Sequence, residues 1–144
     1  VRDGIYETVM ESAAPGAIEL FHGYTYSGHP AACAASLAVL DIYEKEGVFD
    51  NAAALTPYFQ DAVFSLKDVS GIGDIRGFGM LAGIDLTPEG GAGARGMEIH
   101  KKLFASGVYL KFTGDTALIA PPLVSNKANI DEIISGFKRV LTEG

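Results

Sequence analysis

The sequence predicts an α+β fold, a short and mainly antiparallel sheet with helices packed on one side. Three observations point there. Segments run helix, helix, two strands, helix, two strands, helix, so strands arrive in adjacent pairs instead of alternating singly with helices. Met80, Ala82, Ile84 and Leu86 alternate with Leu81, Gly83 and Asp85, the period of a half-buried strand. Ile130, Ile133, Ile134, Phe137, Val140 and Leu141 fall on one face of a closing helix. With 48% hydrophobic and 20% charged residues, 144 residues suffice for a packed core.

In chain order, Val1-Arg2-Asp3-Gly4 reads as the end of a strand entering a turn, as if the chain were the tail of something larger. Residues 4–13 form a short helix or turn, broken by Pro15-Gly16. Residues 17–29 are a loop rich in aromatic, Gly and His residues. Pro30 suits the first turn of a helix, where its missing N–H costs nothing. That helix, to about 46, is Ala-rich, is expected to be buried, and ends at Gly47. Asp50 or Asn51 caps a third segment, with Leu55, Phe59, Ala62, Val63 and Leu66 at helical spacing. Strands are expected at 72–78 and 80–86, then a Gly-rich loop and a helix over 94–105 closed by Gly107. Val108, Leu110 and Phe112 share one face of the next strand, leaving Tyr109 and Lys111 on the other. Gly114-Asp115 turns the chain into 116–120, Pro121-Pro122 stops it, and Asn129 with Glu132 resembles a capping box for the last helix.

A net charge of -7 and the lack of a basic stripe argue against nucleic acid or an anionic membrane surface as partner. No apolar run reaches the roughly 18 residues of a membrane span. The single cysteine, Cys33, excludes an internal disulfide, fits a reducing cytoplasm, and reads as a small buried filler. His22, His29 and His100 lack metal-ligand spacing, so no metal is expected. Gly71-Ile72-Gly73-Asp74-Ile75-Arg76-Gly77 is one residue too long for a dinucleotide fingerprint and enters a strand, not a helix. Its glycines are read as a tight turn. Ser27 lacks the context of a nucleophile elbow. The loop Gly23-Tyr24-Thr25-Tyr26-Ser27-Gly28 places hydroxyls before a helix N-terminus, which suits an anion such as phosphate, although Ser27 reads equally as a plain N-cap.

Phe21 to Pro30, FHGYTYSGHP, followed by an Ala-rich helix, resembles the H-G-[FY]-T word of class III aminotransferases. Arg76 to Leu86, RGFGMLAGIDL, resembles that family's paired strands, and Gly114-Asp115 through Ala120-Pro121-Pro122-Leu123 resembles its closing segment. The three words stand in family order and span nearly the whole chain. The resemblance implies the small C-terminal domain of a fold-type I enzyme that uses pyridoxal 5′-phosphate to move an amino group from an omega-amino acid or amine to a keto acid such as pyruvate. It implies residues 1–29 as the tail of the large cofactor-binding domain with its active-site loop, 30–46 as an inter-domain helix, and 47–144 as the small domain.

By the same resemblance, Thr25 binds the phosphate of the neighbouring subunit's cofactor, Tyr24 lines that site, and the enzyme is a homodimer. Lys111 occupies the place of an arginine that pairs with the substrate carboxylate, a point charge where the family has a planar fork. The lysine that carries the cofactor is expected just upstream of Val1, since none of Lys45, Lys67, Lys101, Lys102, Lys111, Lys127 and Lys138 sits in the family's lysine word. The 144 residues alone are thus expected to be inactive. Other class III types (ornithine, 4-aminobutyrate, aminomutase) remain alternatives, as does a stand-alone non-catalytic domain, against which the retained active-site loop argues.

Overall fold

The computed structural model describes residues 1–17 and 23–143. Two compact units divide the chain, Val1–Val39 and Leu40–Gly144. The first holds α1 (Asp3–Glu11) and most of α2 (Pro30–Lys45). The expected strand at Val1–Asp3 is absent: Arg2 is extended, and Asp3 already opens α1, where an acidic residue in the first turn complements the helix dipole. Pro30 starts α2 as its ring geometry favours. The helix is not buried, however. Leu37, Leu40 and Ile42 are exposed, as is Cys33, because no described segment of this chain covers them. The small-residue pattern expected to seat a neighbour carries none among the described residues.

The second unit contains α3 (Val48–Phe64), β1 (Ile72–Phe78), β2 (Leu81–Leu86), α4 (Ala94–Ala105), β3 (Lys111–Thr113), β4 (Thr116–Ile119) and α5 (Lys127–Glu143). Its four strands form one sheet in the order β1-β2-β4-β3, every neighbouring pair antiparallel. The expected α+β class and antiparallel sheet are what the structure has. Ala82 pairs with Ile119 and Ile84 with both Ile75 and Ala117, and Ala117 pairs with Phe112, so these side chains share a face. That face meets α3, α4 and α5 through Phe59, Val63, Ile99, Leu103, Ile130 and Phe137, all fully buried. The face is apolar because burial of a Leu, Ile or Phe side chain contributes about 1.5–3 kcal/mol. The opposite face carries the row Arg76, Gly83, Leu118 and Lys111, one residue per strand.

Several local expectations are corrected. Gly47, in the left-handed region, precedes α3 directly, so Asp50 lies within the first turn and does not cap it. Asn51 instead donates its amide to the Leu123 and Ser125 carbonyls at 2.7 and 3.1 Å, tying α3 to the Pro121-Pro122 segment. Met80 is not in β2; Gly79 at φ +57 and Met80 make a two-residue hairpin turn. Residues 108–112 alternate buried and exposed as expected, but ladder pairing begins only at Lys111. Asn126 and Asn129 cap α5 reciprocally, the Asn129 N–H donating to Asn126 Oδ1 and the Asn126 N–H to Asn129 Oδ1. Asn129 is thus the third residue of the helix, not its cap, since the box is anchored three residues earlier. Gly107, at φ +91, ends α4 as expected: its N–H reaches the Phe104 carbonyl and that of Val108 the Leu103 carbonyl, a Schellman closure with Val108 buried.

Candidate functional site

Thr25 and Tyr24 belong to the first unit and Lys111 to the second, so each place is built separately. In the first, residues 25–28 form a turn in which the Ser27 N–H donates to the Tyr24 carbonyl at 2.9 Å and the His29 N–H to that of Tyr26 at 3.1 Å. Gly28 takes φ +72, a conformation costly for a residue with a Cβ. Ser27 is not the cap of α2. His29 Nδ1 faces the Ala32 N–H at 3.4 Å, a long and weak contact, while the Tyr26 ring lies 5.8 Å away against the His29 ring. Thr25 is exposed, and its hydroxyl makes no hydrogen bond among the described residues. An exposed hydroxyl in the turn that precedes a helix is a donor of the kind an anion needs. His22 lies outside the described residues.

In the second unit, Lys111 opens β3, the edge strand, and pairs across the ladder with Leu118. It is exposed and forms no ion pair among the described residues, whereas Lys45, Arg76, Arg95 and Lys102 all do. Beside it a cleft of about 410 Å³ is lined by Met97, His100, Tyr109, Phe112, Gly93 and Gly114. Among the described residues no carboxylate lines it, although the chain carries a net charge of -7. His100 Nδ1 lies 3.0 Å from the Leu110 carbonyl oxygen. A carbonyl only accepts, so the hydrogen of that bond sits on Nδ1.

Two groups that sequence reasoning did not assign hold this region in shape. Asp115, half-buried in the β3–β4 turn, accepts from the Gly96 N–H at 2.8 Å and from the Gly93 N–H at 3.2 Å. It therefore caps α4 from a different part of the chain. Gly96 is required there, because a Cβ would run into the Gly114 carbonyl oxygen and Asp115 Cα. On the open sheet face, Arg76 makes a two-pronged pair with Asp85 at 2.6 and 3.0 Å and reaches Asp74 at 3.1 Å. The Thr116 hydroxyl donates to Asp85 at 2.6 Å. These bonds hold the Asp85 carboxyl below its usual 3.8, Arg76 contributing most and Thr116 next; burial acts the other way. The arginine is raised chiefly by Asp85 and then by Asp74. This network joins β1, β2 and β4 across the open sheet face. Among the described residues no group of three His, Cys, Asp or Glu side chains is placed to hold a metal, and no helix is long and apolar enough to cross a membrane.

Comparison with known proteins gives one consistent result. A family model described as Aminotransferase class-III matches residues 4–141. The chain is 47% identical to the omega-aminotransferase of Caulobacter vibrioides over 139 residues, 95% of this chain and 31% of the relative. It is 37% identical to the omega-amino acid–pyruvate aminotransferase of Pseudomonas putida, over 96% of this chain and 31% of that one. The omega transaminase of Pseudomonas jessenii, solved in complex with PMP, superposes with a TM-score of 0.77 at 30% identity, over 86% of this chain and 29% of its own. The chain thus spans just under a third of the length of the curated relatives it matches.

Proposed function

The chain belongs to the class III aminotransferases, and from that premise we propose that it is the C-terminal part of a pyridoxal 5′-phosphate enzyme moving an amino group from an omega-amino acid or amine to a keto acid such as pyruvate. The observation that carries this is the 47% identity, sustained over 95% of the chain, to a protein named as an omega-aminotransferase. The reading divides the work between the two units. Residues 1–29 bring the active-site loop, 30–46 the connecting helix, and 47–144 the small domain.

The residues present fit the cofactor's phosphate. The exposed Thr25 hydroxyl, without a hydrogen bond among the described residues, supplies one donor, and the turn precedes the start of α2. Tyr24 lines the same site. When bound, the cofactor supplies the electron sink for the carbanion at the amine-bearing carbon. Thr25 holds and orients the phosphate across a homodimer interface. Lys111 binds the substrate carboxylate as a point charge, more loosely than a two-pronged arginine would. The lysine that carries the cofactor lies outside these residues, and the 144-residue chain is inactive by itself. We place the enzyme in the cytoplasm.

The test uses the full-length protein. Borohydride reduction in the presence of pyridoxal phosphate, followed by peptide mapping, is expected to mark a lysine outside residues 1–144. Alanine is expected to form from pyruvate and an amine. Thr25→Ala should weaken cofactor binding roughly 10- to 100-fold, the range of one hydrogen bond to a charged group. No visible absorbance from retained cofactor would remove the reading, and an adduct on Lys111 would remove the role given to that residue.

A further inference from the structure

We infer that His29 is the positioning residue for Thr25: it couples the turn that carries the Thr25 hydroxyl to the first turn of α2. The inference rests on the role proposed for Thr25 and adds the group that holds that hydroxyl in place. Thr25 needs such a group. It is exposed and lies in a short stretch between Gly23 and Gly28, and glycines leave the backbone around it free to take many conformations. A donor presented from so loose a segment forfeits affinity to the cost of ordering it.

His29 bonds in two directions. Its N–H donates to the Tyr26 carbonyl at 3.1 Å and closes the second of two overlapping turns. The first, closed by the Ser27 N–H on the Tyr24 carbonyl at 2.9 Å, contains Thr25. Its own carbonyl accepts from the Cys33 N–H at 3.0 Å, which makes it the N-cap of α2. Its ring follows suit: Nδ1 accepts from the Ala32 N–H at 3.4 Å, the third helical N–H, which a cap side chain takes. A ring nitrogen that accepts carries no hydrogen, so the neutral ring holds its proton on Nε2. At 3.4 Å that bond does not fix the ring alone. Tyr26, the residue after Thr25, supplies the second hold, its ring tilted 56° to that of His29 with centroids 5.8 Å apart. The imidazole thus stands between the helix start and the Thr25 turn. Truncating it frees the Ala32 N–H and the Tyr26 ring together while leaving the Thr25 hydroxyl in the chain.

The experiment uses the full-length enzyme, stripped of cofactor and titrated back, with its His29→Ala, His29→Asn and Thr25→Ala variants and the double variant carrying both alanines. It reads the Kd for pyridoxal 5′-phosphate against the Kd for pyridoxal, which has the same ring and aldehyde without the phosphate, together with the melting temperature. His29→Ala is expected to raise the ratio of the first Kd to the second about fivefold, the scale of one lost N-cap. His29→Asn offers Oδ1 to the Ala32 N–H and should restore most of the ratio. With Thr25 already alanine, His29→Ala should change the ratio no further, because two residues acting through one contact are not additive. If Thr25→Ala leaves the ratio at its parent value, the Thr25 reading fails and this inference with it. If Thr25→Ala raises it and His29→Ala does not, or if the two changes add in full, His29 alone is wrong. A His29→Ala variant that melts lower and weakens both ligands in proportion would make His29 a packing residue and overturn the inference. An asparagine variant no better than the alanine one would do the same.

Discussion

Removing the Asp115 carboxylate should cost the second unit more stability than a surface substitution. Asp115→Ala deletes two hydrogen bonds, to Gly96 N–H at 2.8 Å and Gly93 N–H at 3.2 Å, and leaves both groups without those partners. Loss of a cap costs about 1 kcal/mol, and loss of a negative charge at a helix N-terminus a further 0.3–1 kcal/mol or so. The expected total is about 1.5–2 kcal/mol. Asp115→Asn keeps an acceptor for Gly96 but turns an amide toward Gly93 and carries no charge, so about half that loss is expected. Urea denaturation of the chain followed by far-UV circular dichroism reads both. The charge part is screened by salt, so the gap between Asp115 and Asn should narrow in 0.5 M NaCl, taken as roughly a 4 Å Debye length. A loss below about 0.5 kcal/mol for the alanine variant would refute the external cap. So would an asparagine variant as damaged as the alanine one.

Other perturbations follow from the same geometry. Arg76→Leu removes the main cause of the depressed Asp85 carboxyl. A carboxyl whose folded pKa is lowered contributes stability that is present above its unfolded value, near 3.8, and lost as pH falls through the folded one. The difference in urea midpoint between parent and Arg76→Leu should therefore be constant near neutrality and shrink below about pH 4; a pH-independent difference would count against the pair. Gly107→Ala forces a Cβ onto φ +91 and should cost about 1–2 kcal/mol in the same denaturation assay. In the full-length enzyme, Lys111→Arg restores a planar fork and should lower KM for β-alanine several-fold, while Lys111→Met should raise it roughly tenfold; equal KM values would remove the residue from substrate binding.

How much the sequence disclosed depended on the range of the interaction. The closing helix was legible because its apolar residues repeat at helical spacing, and Ile130 and Phe137 are indeed fully buried. The alternation from Val108 to Phe112 correctly put Lys111 on the outside, although it overstated the strand, since an edge with one neighbour pairs over only three residues. Caps set within three or four residues were misjudged by a few positions. The position of Asn51 suggests a local cap, yet its amide bonds carbonyls 72 and 74 residues away. The Asp115 cap spans 19 and 22 residues and leaves no mark in any local window. The sequence spacing of His100 speaks only to metal ligation. Its use lies in what it touches on a following segment, which spacing along α4 does not reveal. The Ala-rich pattern of α2 described the kind of neighbour the helix suits, not whether one is present in this chain.

The words by which the chain resembles its family divide into two physical kinds. Arg76, Gly83 and Asp85 of the strand-pair word act on each other: the guanidinium lies over Gly83, where a Cβ would come within 3.5 Å of Nε, and grips Asp85. Gly114-Asp115 of the closing word acts on α4. Both are fasteners, and neither need touch a ligand. Yet the second one is linked to the place proposed for a ligand. Asp115 fixes the start of α4, α4 carries His100, and His100 holds the backbone beside Lys111, only four residues before Asp115. The segment from Leu110 to Asp115 is thus tied to the same helix at both of its ends. A change at Asp115 should therefore appear twice, as lost stability in this chain and as a weakened preference for carboxylate substrates in the full-length enzyme. The two effects should move together across the alanine and asparagine variants.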